Sequence, residues 1–235
     1  MIAGELVFDL GAGAGALTAP LVLLGARVVA VERDAALVER LTRRFAGAPT
    51  VRVIRADVRT IALPRRPFRV VANLPFATTT DVVRRLIEPA GTALAAADLV
   101  VQREAAHRLA AYAKDPAGAW WGARFTVSVG RSLGPRCFQP PPRVAAAVLR
   151  IRRVPLPKAA DAALARVLRE SARGLHRPVR TVLSGWLGPG QLRALGIDPR
   201  SPVGQLAPSS WRAIASALAA SSVEGAGSTS PSTPA

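Results

Sequence analysis

A short apolar run, Leu6-Val7-Phe8-Asp9-Leu10, passes directly into Gly11-Ala12-Gly13-Ala14-Gly15, and Leu17, Leu21 and Leu24 follow at helical spacing. No other stretch restricts the fold as much. A strand that ends on alternating glycines and continues as a helix opens a βαβ unit. The glycines admit tight backbone angles and let the main chain approach a ligand closely. A loop of this kind alone is weak evidence, because many glycine-rich turns bind nothing, so the later strand ends have to decide.

The next unit strengthens the reading. Arg27-Val28-Val29-Ala30-Val31 reads as a second strand ending at Glu32. That carboxylate falls about 20 residues past the loop, the spacing at which an acidic side chain meets a ribose diol. A plain surface charge at a strand end is the other reading of Glu32. Asp34 then caps a helix to about Phe45. Val51-Arg52-Val53-Ile54-Arg55 is a third strand closed by Ala56-Asp57-Val58, and an Asp there suits an adenine amine. The loop lacks the fuller phosphate-cradling pattern, so a ligand without a pyrophosphate fits better, and S-adenosylmethionine is that ligand. The rival is a nicotinamide cofactor, for which no hydride-transfer residues speak.

The fourth strand, Val70-Val71-Ala72, ends in Asn73-Leu74-Pro75-Phe76. Asn73 offers an amide oxygen and nitrogen, Pro75 cannot continue the ladder, and Phe76 supplies a flat apolar face. Together they suit a flipped base whose exocyclic amine needs acceptors. A strand-ending turn with a core phenylalanine would look the same in isolation. Thr78-Thr79-Thr80-Asp81 precedes a helix with Val82, Val83, Leu86 and Ile87 inward. Residues 99–102 form a fifth strand, 104–112 a helix, and 124–129 and 144–151 late strands around the loop Phe138-Gln139-Pro140-Pro141-Pro142-Arg143. Strands alternating with helices predict an α/β, mostly parallel, doubly wound sheet.

From about Pro155 the pattern changes to Arg-rich helices over 161–173, 179–187 and 209–220, broken by Gly and Pro. The expected organisation is a Rossmann-like domain over 1–154, a small C-terminal helical domain over 155–220, and a disordered Ser-Gly-Thr-Pro tail over 221–235.

The chain carries a net charge of +17 over 235 residues. This favours a polyanion, nucleic acid more than membrane, since no long apolar span or basic amphipathic tract is present. Residues 131–235 hold 15 Lys+Arg against 4 Asp+Glu, so this half is expected to be the electrostatic docking surface. Cys137 is the only cysteine, which excludes a disulfide framework or a cysteine metal site within one chain. His107 and His176 have no partner at metal spacing, so no metal is expected. No secretory signal is visible at the start, which implies a cytoplasmic protein, and nothing suggests an extended interface beyond a monomer. Trp120 and Trp121 read as core or as base-stacking residues. Arg65-Arg66 and Arg152-Arg153 read as solvated pairs, or as phosphate contacts if they share a face.

Taken jointly, Asp9 to Thr18, Val31-Glu32-Arg33-Asp34, Arg55-Ala56-Asp57 and Ala72 to Phe76 resemble the rRNA adenine N6-dimethyltransferase family. The resemblance continues through Val101-Gln102-Arg103-Glu104 and Phe138 to Val144, and covers residues 5–152 firmly and the helical tail loosely. The family includes the erythromycin-resistance (Erm) 23S rRNA methyltransferases and the KsgA-type small-subunit enzymes. Phe76, Trp120-Trp121, the run 145–153 and Val179 to Leu183 resemble the Erm branch more.

This resemblance implies a Rossmann-like S-adenosylmethionine-dependent methyltransferase acting on the N6 amine of an adenine in 23S rRNA. It also implies resistance to macrolide, lincosamide and streptogramin B antibiotics. Gly11, Gly13 and Gly15 would face the cofactor's methionine part, Glu32 the ribose hydroxyls and Asp57 the adenine amine. Asn73 and the Leu74 carbonyl would hold the target amine, followed by Pro75, with Phe76 stacking on the ring. Two departures stand out. Family members carry a Gln-x-Phe-Leu segment before the first strand, and this chain starts five residues before that strand, which implies a shortened start or an incomplete lid. Asp9 stands where the family has Glu, leaving it a shorter, indirect cofactor contact. The alternatives are a KsgA-type enzyme acting on 16S rRNA and a non-catalytic RNA-binding relic of the fold.

Overall fold

The computed structural model describes residues 3–89 and 92–224, apart from the side chains of Phe76 and residues 221–224. It divides into two compact units, Met1–Ala111 with Phe125–Arg153, and Tyr112–Arg124 with Val154–Ala235.

The first unit is a seven-stranded sheet. In chain order its strands are β1 (Leu6–Leu10), β2 (Arg27–Glu32), β3 (Val51–Arg55), β4 (Phe68–Asn73), β5 (Leu94–Gln102), β6 (Phe125–Leu133) and β7 (Ala146–Arg153). Across the sheet the order is β3-β2-β1-β4-β5-β7-β6. Strands β1 to β5 run parallel, while β7 pairs antiparallel with both β5 and β6. All five residues of β1 are buried, Asp9 included, because a central parallel strand is covered on both faces.

Alternation along the strands sorts the core. Val7, Val28 and Val71 meet Leu21 and Val22 of α1 (Thr18–Leu23). On the same side Ala30 and Val53 pack under Leu41 and Phe45, which belong to α2 (Ala35–Arg44) and its C-cap. Phe8 and Phe68, at the opposite parity, meet edge to face at 5.6 Å. Helix α3 (Thr79–Ile87) buries Val82, Val83, Leu86 and Ile87 as its spacing predicts. Helix α4 (Arg103–Tyr112) buries Ala105, Ala106 and Leu109.

Three features of the sheet differ from the sequence reading. Helix α1 ends at Leu23, so Leu24 is exposed and only Leu21 of the expected stripe is in the core. Strand β5 begins at Leu94, five residues earlier than expected. Its Ala-Ala-Ala start has poor strand propensity, but ladders with β4 and β7 on either side recruit it. Arg152 and Arg153 are partly buried, with their guanidinium groups engaged inside the sheet unit. Arg152 grips the Asp98 carboxylate at 2.7 and 2.8 Å, and Arg153 donates to the Leu94 and Thr92 carbonyls with its guanidinium over Phe125.

The second unit contains α5 (Ala119–Arg124), α6 (Lys158–Ser171), α7 (Val179–Val182), α8 (Pro189–Ala194) and α9 (Pro208–Glu224). Its core is built from Leu164, Val167, Val179, Leu192 and Ile214 with Trp211. The segment 112–124 belongs here rather than to the domain expected over 1–154, because Ala119 and Ala123 enter this core. Trp121 is buried edge-on against Tyr112, and Trp120 packs beside the core under the Arg124 guanidinium. Helix α7 stops at Val182 instead of 187, ahead of Ser184-Gly185, two residues unfavourable inside a helix. Helix α8 starts where Gly188-Pro189-Gly190 read as a break. Proline is well placed at a first helical position, and the Gln191 side chain accepts the Gly188 N–H.

Helix α9 continues to Glu224, so the tail expected to be disordered from 221 begins as helix, and residues 225–235 lie outside the described residues. The basic half of the chain is shared between the two units. Residues 131–153 hold six arginines and no acid, and they belong to the sheet unit. More than half of the +11 carried by residues 131–235 therefore sits on β6, β7 and the loop between them.

Gly122 lets α5 pack tightly. A Cβ there would fall 1.9 Å from the Ala113 carbonyl oxygen and 2.7 Å from the Pro208 ring. All four tryptophans lie in the helical unit, so their fluorescence reports its unfolding. Gly122→Val is expected to lower stability in urea by about 1–3 kcal/mol by that signal. Gly185→Ala, with open space around the new methyl, leaves it nearly unchanged.

Candidate active site

Parallel pairing brings the C-terminal ends of β1, β2, β3 and β4 to one edge of the sheet. Gly11, Glu32, Asp57, Asn73 and Pro75 line a pocket of about 300 Å³ there, with Arg33, Ala56, Val58, Arg59 and Thr78. Of the residues singled out from the sequence, Asp9, Gly13, Gly15 and Leu74 do not line it. Asp9, Gly15 and Leu74 are buried, and Gly13 is tied to the pocket wall through its N–H to Glu32.

Gly11 has φ +73°, and a Cβ on it would sit 3.8 Å from the Asn73 carbonyl oxygen, so bare backbone faces backbone across β1 and β4. Gly15, at φ +84°, packs under Phe45 and Leu41, which a Cβ would approach to 2.9 and 3.0 Å. The loop is thereby pinned against α2. Glu32 ties it to the second strand end: its Oε2 accepts the Gly13 N–H at 3.0 Å, and its Oε1 accepts the N–H groups of Arg33 and Asp34.

Asp9 is fully buried, with Oδ2 accepting the Thr18 hydroxyl at 2.6 Å. Its Oδ1 has no partner among the described residues. Burial pushes the carboxyl up to about 6, against the lowering effect of its bonds to Thr18, and the nearby Glu32 charge adds a little. Asp9 thus fastens the start of α1 to β1 instead of reaching the pocket.

Asp57 is in the opposite situation. The Arg59 guanidinium places Nη2 2.6 Å from Oδ2 and Nε 3.0 Å from Oδ1, and the Arg59 N–H reaches Oδ1 at 2.8 Å. These bonds hold the carboxyl well below the usual carboxylate range. The sequence reading missed Arg59, Arg33 and Thr78 as pocket residues. An Asp followed two residues later by Arg was the available signal for Arg59, since that spacing closes an Asx turn.

Asn73 ends β4, exposed, beside Val100 of β5. Leu74 is buried and its N–H meets the Val100 carbonyl at 3.3 Å. The Pro75 carbonyl accepts both the N–H and the hydroxyl of Thr78, which closes the turn. Phe76 begins that turn as 3-10 backbone, and the stacking expected of its ring lies outside the described residues. No group of three or more His, Cys, Asp or Glu side chains is placed to hold a metal among the described residues, and no helix there is long and apolar enough to cross a membrane.

The pocket suits an adenosyl ligand without a pyrophosphate: close backbone at Gly11, one carboxylate each at the second and third strand ends, and an amide at the fourth. This sheet, closed by one antiparallel strand and carrying that set, defines a Rossmann-like S-adenosylmethionine-dependent methyltransferase. The chain belongs to the ribosomal RNA adenine dimethylase family, whose sequence model matches residues 4–220.

Among similar proteins is an rRNA adenine N-6-methyltransferase of Bacillus licheniformis, 30% identical over 218 residues, covering 89% of this chain and 76% of the relative. A ribosomal RNA small subunit methyltransferase A of Pseudomonas putida is 31% identical over 212 residues, covering 83% and 78%. The crystal structure of the 23S rRNA methyltransferase ErmE superposes with a TM-score of 0.65 at 24% identity, covering 93% of this chain and 92% of that one. It shares the fold.

Because native Asp9 binds its proton more tightly than the unfolded chain does, its contribution to stability falls as pH rises from about 4 to about 6 and is level above. Asp9→Asn lacks this dependence. Urea titrations at pH 4 and 7 should show wild type losing up to about 3 kcal/mol relative to the variant across that window.

Proposed function

We propose that the chain methylates the N6 amine of an adenine in 23S rRNA and thereby confers resistance to macrolide, lincosamide and streptogramin B antibiotics. The observation that carries this reading is Asn73, an exposed amide at the end of β4, set against Gly11 at the mouth of a pocket that also holds Glu32 and Asp57. When bound, the cofactor supplies a methyl group on a sulfonium centre, a good leaving group. Glu32 holds the ribose hydroxyls and Asp57 accepts from the adenine amine. The Asn73 side-chain oxygen and the Leu74 carbonyl accept from the target base's amine, drawing its lone pair out of conjugation and toward the methyl. The proton lost afterwards passes to water. Orientation carries most of the rate, and no strong base is needed.

Electrostatic docking uses both units. In the helical unit Arg180, Arg193 and Arg200 line a hollow of about 450 Å³, and arginine forks of this kind suit backbone phosphates. A second reading, a 16S rRNA substrate, is favoured by one observation: a relative named for the small subunit matches at an identity and coverage close to those of one named rRNA adenine N-6-methyltransferase.

Incubation of the chain with radiolabelled S-adenosylmethionine and protein-free 23S or 16S rRNA separates the readings. The expected result is label in 23S adenine; label confined to 16S supports the second, and RNA binding without label supports a relic. Asn73→Ala should lower kcat by about 10²-fold or more with RNA affinity retained. Replacing Arg180, Arg193 and Arg200 together by Gln should reduce the slope of log affinity against log salt by about 2–3.

A further inference from the structure

Arg59 belongs to none of the strand-end motifs, yet it lines the pocket and grips Asp57. The carboxylate receives three N–H groups from this one residue: the backbone N–H on Oδ1, Nε–H shared between Oδ1 and Oδ2 at 3.0 and 3.2 Å, and Nη2–H on Oδ2. A carboxylate offers about four lone-pair directions. The fork fixes the plane of Asp57, and the long arm of the shared Nε–H, 3.2 Å to Oδ2, leaves that oxygen able to take one further donor. An unrestrained Asp at the end of a loop would rotate freely.

We propose that Arg59 is a positioning residue that holds Asp57 as an acceptor for the cofactor's 6-amino group, so that selection of adenine over a 6-oxopurine depends on Arg59. This rests on the reading of Asp57 as the adenine contact. A 6-oxopurine presents a carbonyl where adenine presents an amine. Against a fixed anionic carboxylate that is acceptor against acceptor. A carboxyl able to turn away, or to carry a proton, would tolerate it. The guanidinium prevents both: its fork holds the orientation, and its charge, with Arg33 nearby, keeps Asp57 ionised. Arg59 is half exposed and can hold this geometry with the pocket open to solvent.

The test measures binding of S-adenosylhomocysteine and S-inosylhomocysteine to the full chain by calorimetry, in wild type, Arg59→Leu, Arg59→Lys and Asp57→Asn. Wild type is expected to prefer the adenosyl compound by about tenfold or more. Arg59→Leu should cut that preference at least about fivefold, and Arg59→Lys should recover part of it, since an ammonium restores the charge without the fork. In methylation assays the KM for S-adenosylmethionine should rise in Arg59→Leu with little change in kcat. A merely structural role weakens both compounds alike and leaves the preference intact, which overturns the inference. If Asp57→Asn abolishes the preference and Arg59→Leu does not, Arg59 has no such role and the reading of Asp57 stands. If neither variant changes it, Asp57 is not the adenine contact, and both fall together.

Discussion

The site depends on the pairing of β1 with a parallel neighbour on each side. Parallel strands cannot be joined by tight turns, so each crossover returns over a face and every strand ends on the same edge. The registers Leu10↔Val31, Leu10↔Ala72 and Glu32↔Arg55 end these strands almost level. Gly11, Glu32, Asp57 and Asn73 are scattered over more than sixty positions, yet they meet because each is at or just past the end of its strand. A one-residue slip between β1 and β4 would move Asn73 off Gly11 and turn every buried side chain of that strand to the other face.

Three carboxylates at adjacent strand ends take different parts because their surroundings differ. Asp9, sealed among apolar side chains with one hydroxyl partner, is pushed toward its neutral form. Glu32 accepts three backbone N–H groups and so locks the glycine loop to the second strand. Asp57, beside a guanidinium at the pocket wall, is held firmly anionic. Residue type alone would have given all three the same behaviour. Burial and the nearest donor separate them.

Much of the sheet unit was readable in advance. Strands β1, β2 and β3, the Asp34 cap and the apolar stripe of α3 stand where periodicity and capping chemistry place them, because those signals are local. The errors fall where local preference meets tertiary contact. The alanines at the start of β5 become strand only between two ladders. Trp120-Trp121 belongs to α5 because Gly122 allows Pro208 and the Ala113 carbonyl to come close. The Arg152-Arg153 pair gave no local sign of its partners, and antiparallel pairing set Arg152 beside Asp98.

The sequence by itself determined the order of elements, the glycine loop, and the residue type at each strand end. These are written in contiguous residues whose backbone preferences and spacing are intrinsic. It also carried the net positive charge. The tertiary structure alone decided which of those residues share a pocket, that Asp9 stands behind it rather than in it, and that Arg59 grips Asp57. It also decided that Arg152 grips Asp98 across the sheet. Burial, hydrogen-bond partners and proximity across the sheet arise only when distant segments pack, and no single segment encodes them.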